Sequence, residues 1–403
     1  MKRILLIIPN IDFGGAQRSF IALAEALMEK YEVQVCTFNI EENILFRLPF
    51  EVTSLDVRGG RNLPDKVLML WRRVKSLKKL KQQFRPEVSI SYLEGSNYLN
   101  ILTGKKDKVV ISIRGSQTYD ETISGLQGTF RKNVLMPMLY PKADAVVALN
   151  QGIKKELTGQ YGVSGDKVKV IHNYYRLEDM RKAGREALPE PFSNVFARPC
   201  FVYAGRLAVE KGITELIQVF ARVKKAAAHA RLVIVGEGAM YNELISEAER
   251  TGLKVWHPAA DNAMIEEADI VFTVYQANPY AFIQRARALL IASSSEGGPN
   301  ILAESLILDT LVVSADCPDG PRERLAPGTG YARKLSVAEK APNGWLMPML
   351  KQENNEAAIT EWTNLLIRLA EDPEAGSDQV RNAGLYMAQY DQPKLSEAWE
   401  AVI

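Results

Sequence analysis

The sequence predicts an α/β protein of two doubly wound domains, each a largely parallel sheet with crossover helices. Three observations predict it. Short apolar runs alternate with helix-patterned stretches along the whole chain, as parallel strands joined by helices require. Two of these runs end at a glycine-bearing turn that opens into a helix, with charged residues on the connection. The chain is 403 residues long, enough for two domains that each bury a core, and the proline-bearing stretch Leu188-Pro189-Glu190-Pro191-Phe192-Ser193 lies near its middle.

Taken in order, strands are expected at 4–8, 32–38, 87–92, 109–113, 144–149 and 168–171 in the first half. In the second half they are expected at 200–204, 231–235, 269–274, 288–292 and 311–314. The prolines of 188–193 disfavour helix and set the expected join. The predicted organisation is therefore 1–190, 191–385 and a last segment, 386–403. Between the strands at 231–235 and 269–274, Trp256-His257-Pro258 and Ala259-Ala260-Asp261-Asn262 suggest a surface excursion. There His257 is either a ligand contact or part of an exposed loop.

The segment Ser295-Glu296-Gly297-Gly298-Pro299-Asn300-Ile301-Leu302-Ala303-Glu304 carries the most chemistry. A strand that ends in a glycine turn and opens a helix gathers backbone N–H groups and the positive helix end at one point. That point suits an anion such as pyrophosphate. Glu296 and Glu304 flank it, and ionised carboxylates accept hydrogen bonds from hydroxyl-rich groups. Phosphate plus polyol describes a sugar nucleotide. The alternative is an ordinary strand–turn–helix with two solvated acids.

A second strand–glycine–helix unit runs from Phe201 to Gly212 and carries Arg206 and Lys211 after Gly205. Glycine permits a sharp turn and close ligand approach. Arginine offers phosphate a planar fork of donors, and lysine a mobile point charge. Two cations here suit a departing pyrophosphate without a metal. The alternative is that both are solvated loop charges.

Bulk properties exclude several classes. Hydrophobic content of 47%, charged content of 24% and a net charge of +2 are those of a globular protein with no polyanion partner, so no nucleic acid is expected. Cys36, Cys200 and Cys317 are far apart and lack metal spacing, and His172, His229 and His257 form no local cluster. No Asp-x-Asp metal motif is present, and no metal is expected. The cysteines read as reduced, buried thiols. The apolar run 4–8 is too short for an export signal and meets Pro9. No run approaches the roughly 20 apolar residues of a membrane helix. A cytoplasmic location, with any membrane contact peripheral, is the expectation.

Residues 66–85, from Lys66 to Arg85, form a basic amphipathic helix on paper. Val67, Leu70, Trp71, Val74, Leu77 and Leu80 recur at helical spacing, and Arg72, Arg73, Lys75, Lys78, Lys79 and Lys81 fill the remainder. Such a helix suits an anionic membrane surface or a lipid pyrophosphate. Equally, it suits a crossover helix whose apolar stripe packs on the sheet and whose basic face is solvated.

Several motifs fall in a consistent order: Gly14-Gly15-Ala16-Gln17-Arg18, Ala204-Gly205-Arg206 through Lys211-Gly212, Val235-Gly236-Glu237-Gly238, Asn278-Pro279-Tyr280, Glu296 through Glu304, and Asp316-Cys317-Pro318-Asp319-Gly320-Pro321-Arg322-Glu323. The set resembles the signature of family 4 of the retaining glycosyltransferases. Its last motif and the Asn-Pro-Tyr are most similar to the branch that builds bacterial surface polysaccharides and lipid-linked oligosaccharides.

The resemblance implies two facing Rossmann-like doubly wound domains, the glycosyltransferase B-type fold, with the C-terminal segment around Trp399 crossing back to the first domain. It implies a hexosyltransferase that takes a nucleotide sugar, UDP weighted over GDP, as substrate, with no cofactor. The acceptor would be a glycan or a lipid-pyrophosphate-linked glycan, and the enzyme would work at the inner membrane face. Glu304 would hold the ribose hydroxyls and Glu296 the donor sugar. Gly297, Gly298, Pro299 and Asn300 would present backbone groups to sugar and phosphate. Gly14, Gly15 and Gly205 would approach the donor, and Arg206 and Lys211 would hold the leaving diphosphate. Many family members carry a histidine where this chain reads Val110-Ile111-Ser112-Ile113-Arg114-Gly115-Ser116. Arg114 either takes over part of that role or is structural. Competing classes are a soluble transferase or phosphorylase, a non-catalytic nucleotide-sugar binder, a glycoside hydrolase using paired carboxylates, and a dehydrogenase. The last lacks a Gly-x-Gly-x-x-Gly after the first strand.

Overall fold

A computed structural model describes the chain apart from residues 12–13, 40–47, 58–62, 117–124, 261–263, 297, 319, 331–334 and 353–354, and the side chains of 63, 64, 126 and 127. The chain divides into two compact units, Met1–Tyr174 with Tyr390–Ile403, and Tyr175–Gln389.

In the first unit the described residues form a seven-stranded sheet. Its strands are β1 (Arg3–Ile8), β2 (Glu32–Thr37), β3 (Val52–Ser54), β4 (Val88–Tyr92), β5 (Lys108–Ile113), β6 (Ala145–Ala148) and β7 (Val168–Val170), in the order β3-β2-β1-β4-β5-β6-β7. All neighbours are parallel. The central strands read as unbroken apolar runs because both faces are covered. Ile4, Leu6 and Ile8 pack with Phe20 and Leu23 of the helix Gly15–Met28, while Leu5 and Ile7 pack with Leu77 and Leu80 of the helix Leu63–Phe84.

The second unit has an eight-stranded sheet of β8 (Cys200–Ala204), β9 (Arg231–Val235), β10 (Val255–Trp256), β11 (Ile270–Phe272), β12 (Ala288–Ile291), β13 (Val312–Ala315), β14 (Glu339–Ala341) and β15 (Gly344–Met347). The order is β10-β11-β9-β8-β12-β13-β15-β14, with β14 antiparallel to β15. Both sheets are doubly wound: the chain builds outward from its first strand, then returns to that strand's other side.

Four expectations are corrected. The join at 188–193 lies inside the second unit. The helix Leu177–Gly184 belongs there because Asn278 donates to Ala183 O (2.8 Å), Arg285 to Gly184 O (3.0 Å), and Arg181 to Ile307 O (3.3 Å). The last segment returns to the first unit at Tyr390, not 386, since the helix Ser377–Met387 stays with the second. From Tyr390 onward it is anchored by Tyr390 against His172 and Tyr174, by an ion pair between Lys30 and Glu400 (2.9 Å), and by Trp399 stacked on Tyr92.

The third concerns the helix Leu63–Phe84. Its apolar stripe is divided. Leu77 and Leu80 are buried, but Val67 is 62% and Trp71 59% exposed, with Leu70 also exposed. Lys81, expected on the basic face, is buried and ion-paired to Asp107 at 2.7 Å, with Asn100 and Ser89 accepting its other protons. Trp256 likewise belongs to the edge strand β10, its ring packed edge-on against Phe192, so the surface excursion starts later. Asp261 and Asn262 lie outside the described residues. Cys36, Cys200 and Cys317 are buried free thiols, and burial pushes Cys36 and Cys200 up to about 12.

Candidate active site

In the second sheet the winding reverses between β8 and β12. Such a reversal leaves a crevice at the carboxyl ends of the strands. Lys211 follows β8, Glu296 follows β12, and the two meet there. Lys211 Nζ donates to Glu296 Oε1 at 2.7 Å, and Ser293 Oγ donates to the same oxygen at 2.6 Å. The Lys211 and Glu296 side chains are 22% and 12% exposed.

The two loops are fastened to each other. Ser294 N and Oγ both donate to Glu210 O, at 2.9 and 3.2 Å. Gly212 has φ +65° and lies so close to Ala292 that a Cβ would overlap the Ala292 carbonyl oxygen. Only glycine satisfies both conditions. Gly212 and Pro299 cap the helices Ile213–Ala226 and Asn300–Ile307, so each residue of the pair is followed by a helix N-terminus suited to an anion.

Gly205 and Arg206 belong to the same turn. Gly205 N donates to Val235 O at 3.0 Å, and the Tyr203 hydroxyl donates to Arg206 O at 2.8 Å. Burial, with the Glu296 and Glu210 carboxylates nearby, raises the Tyr203 hydroxyl far above its ordinary range, which keeps it a donor. The Arg206 guanidinium is 68% exposed and pairs with Glu210 at 2.7 Å.

Glu304 lies in the second turn of its helix, because that helix begins at Asn300. It is only 3% exposed, with the Tyr280 hydroxyl 3.5 Å from Oε1. Two solvated acids therefore do not describe Glu296 and Glu304. Asn300 accepts from the Tyr175 hydroxyl at 3.1 Å. Gly298 and Pro299 are half-buried on the turn, and Gly297 lies outside the described residues.

Gly14, Gly15 and Arg114 belong to the first unit, at the carboxyl ends of β1 and β5. Gly14 caps the helix that Gly15 opens, and its carbonyl accepts from Arg18 N at 3.1 Å. Arg114 donates to Ser19 Oγ on that helix at 3.0 Å, to Ser112 Oγ at 3.4 Å and to Asn173 Oδ1, and its guanidinium lies 5.0 Å over the Tyr92 ring. Among the described residues, no group of three or more His, Cys, Asp or Glu is placed to hold a metal.

The family model described as glycosyltransferase family 4 matches residues 13–179, and that described as glycosyl transferases group 1 matches 189–365. The chain belongs to the glycosyltransferases that these two models describe.

This glycosyltransferase is 25% identical over 364 residues to an uncharacterized glycosyltransferase of Methanocaldococcus jannaschii, covering 84% of each chain. It is 26% identical over 332 residues to the N-acetylgalactosamine-N,N'-diacetylbacillosaminyl-diphospho-undecaprenol 4-alpha-N-acetylgalactosaminyltransferase of Campylobacter jejuni, covering 80% of this chain and 83% of that one. Among solved structures, Anabaena HepE with UDP and glucose superposes at a TM-score of 0.72 and 15% identity, covering 100% and 99% of the two chains. The lipopolysaccharide outer core galactosyltransferase WaaB gives 0.66 at 18% identity, covering 99% and 98%. The fold is accordingly the B-type glycosyltransferase fold of two Rossmann-like domains.

The sequence of the glycosyltransferase pointed to Lys211 and Glu296 but not to their supports. No role is legible there for Ser293, Glu210, Tyr203 or Tyr175, and Tyr280 appears only as part of the Asn278-Pro279-Tyr280 motif. Ser293 sits just before the Glu296 motif, where a polar residue near a strand's carboxyl end was the available signal, and Glu210 lies within the Phe201–Gly212 unit. Nothing local marks Tyr175, which lies 125 residues from Asn300.

Proposed function

We propose that this glycosyltransferase moves a hexose or N-acetylhexosamine from a UDP-sugar to a growing lipid-linked bacterial surface glycan, such as capsule or O-antigen, with retention at the anomeric carbon. The observation that carries it is the Lys211–Glu296 pair at the winding reversal, flanked by two helix N-termini and by the buried Glu304. The Campylobacter relative's name specifies an undecaprenol-diphosphate-linked glycan, and HepE was solved with UDP and glucose, which favours this donor and acceptor class.

In this scheme Glu304 accepts from the ribose hydroxyls, and Glu296, oriented by Ser293, faces the donor sugar. Lys211, Arg206 and the N–H groups of Gly298 and Asn300 balance the diphosphate charge. The bond between the anomeric carbon and the diphosphate oxygen breaks, and the acceptor oxygen bonds to that carbon on the same face. The acceptor proton passes to the departing diphosphate. The residues work by electrostatic preorganisation, and the nucleotide sugar is a substrate, with no cofactor assigned. Arg114, with Gly14 and Gly15, belongs to the acceptor-side domain, where it ties the end of β5 to the helix Gly15–Met28. The exposed Val67, Leu70 and Trp71, beside Arg72 and Lys75, supply a peripheral contact with the anionic inner face of the plasma membrane.

The test is calorimetric titration of UDP, GDP and ADP, followed by incubation with UDP-sugars and a lipid-pyrophosphate-linked oligosaccharide. Selective UDP binding and an anomerically retained product are expected. Selective GDP binding would overturn the donor assignment, and an inverted product would overturn retention.

A further inference from the structure

The motif Asp316 to Glu323 follows β13 and runs into the helix Pro321–Leu325. β13 ends at Ala315, and the N–H of the next residue, Asp316, donates to Met347 O on β15 at 2.8 Å. The chain then turns into the short helix Pro321–Leu325, and Arg322 folds back onto the start of the turn. Arg322 Nε lies 2.9 Å from Asp316 Oδ1, and Nη2 lies 2.6 Å from Oδ2. Glu339 accepts from Nη1 and Nη2 at 3.2 and 3.1 Å, and Thr329 Oγ1 from Nη1 at 3.4 Å. The Arg322 and Asp316 side chains are 3% and 5% exposed. A buried pair of this kind contributes little net stability, but its two-point geometry fixes a loop closely.

The loop so closed presses on the donor-site turn. A Cβ at Gly320 would lie 2.9 Å from Glu296 O, 2.9 Å from Pro299 Cδ and 3.3 Å from Glu296 Cβ. Glycine is required there because no side chain fits. Cys317, inside the same loop, lies close enough that the Glu296 carboxylate adds to the upward push of burial on its thiol, while Lys211 opposes it.

We propose that Asp316 and Arg322 are positioning residues: their ion pair ties the start of the helix Pro321–Leu325 to the end of β13 and, through Gly320, sets the Glu296 carboxylate against Lys211. This rests on Glu296 being the group that faces the donor sugar. The pair touches the site only through backbone, so its loss acts on the rate of transfer more than on nucleotide affinity.

The test compares Arg322→Lys, Gly320→Ala and Glu296→Ala. Iodoacetamide labelling of Cys317, mapped by mass spectrometry, reads loop closure, with buried Cys36 and Cys200 as controls for general loosening. UDP release from UDP-glucose, UDP-galactose, UDP-N-acetylglucosamine and UDP-N-acetylgalactosamine reads turnover. In Arg322→Lys, Cys317 labelling rises at least about 10-fold while the controls stay at wild-type level. In both loop variants kcat falls ~10–100-fold with KM within about 2-fold, as displacement of a reacting geometry predicts. Equal labelling of all three cysteines overturns the proposal. So do wild-type kcat values in both loop variants while Glu296→Ala is slow. If Glu296→Ala is itself fast, the assignment of Glu296 fails and the clamp falls with it. If no UDP-sugar is turned over, unchanged Cys317 labelling in Arg322→Lys overturns the proposal by itself.

Discussion

Lys211 donates to Glu296 across 2.7 Å and 85 residues of chain, joining the loops after two neighbouring parallel strands. Ser293 donates to the same carboxylate oxygen, so two donors converge on Glu296. Lys211→Ala and Glu296→Ala should each lower turnover at least ~100-fold, as expected when a preorganised group is removed. Because the two act as a unit, the double variant should be little slower than the worse single one. Steady-state UDP release from whichever UDP-sugar is turned over measures this. A double variant slowed by the product of the two single effects would show that they act independently.

Glu304 is buried at 3% exposure on the helix that opens at Asn300. A carboxylate accepting from two ribose hydroxyls makes charge-assisted hydrogen bonds. Glu304→Ala should therefore weaken UDP binding about 10–100-fold. Calorimetric titration gives the number, and undiminished affinity would place the ribose elsewhere.

The first turns of the helix Leu63–Phe84 leave Val67, Leu70 and Trp71 in solvent beside basic residues. Binding to phosphatidylglycerol vesicles should be strong at low salt and weaken as salt rises, since the Debye length shrinks to about 8 Å at physiological ionic strength. Val67→Ser with Trp71→Ser should reduce binding at every salt concentration by removing the apolar part. Vesicle co-sedimentation at low salt decides it, and wild-type protein left in the supernatant would rule out this surface.

Lys81 and Asp107 form a buried pair, with Ser89 and Asn100 completing the cluster. Burial alone would raise the Asp107 carboxyl, but the Lys81 ammonium and the Ser89 hydroxyl outweigh it and hold the carboxyl below its ordinary value. A depressed folded-state value means stability that is present above about pH 4 and is lost as pH falls through it. Asp107→Asn should be less stable than wild type at pH 7, with the gap closing at acid pH. Urea unfolding across pH checks this, and a gap that stays constant would assign the effect to packing.

Trp399 is 1% exposed and stacks on Tyr92, with ring centroids 6.0 Å apart, while Arg114 lies over the same tyrosine. Trp399→Ala should cost about 3–5 kcal/mol, the range for deleting a buried aromatic. It should also free the 390–403 segment to limited proteolysis. Denaturant unfolding with protease mapping tests both. Loss of less than about 1 kcal/mol would mean that the segment is held elsewhere.

The sequence alone carried the strands of both sheet centres. In unbroken buried runs such as 4–8 and 231–235, composition and length identify a parallel strand without reference to partners. It carried Glu296 and Lys211 too, because strand–glycine–helix is a local pattern. The strands it missed, Val52–Ser54, Val255–Trp256, Glu339–Ala341 and Gly344–Met347, have two to four residues each, too few for a period to show.

What tertiary structure decided was which residues share a point in space. That Lys211 meets Glu296 follows from β8 pairing with β12, and pairing order is a property of the whole sheet. That Lys81 is buried while Trp71 is exposed reverses what hydropathy implies. A side chain's environment is set by the element packed over it: Asp107 waits for Lys81, and Trp71 has solvent around it. The clamp between Asp316 and Arg322 was written in the sequence as a motif. Its meaning came only when the fold laid Gly320 against the backbone of Glu296.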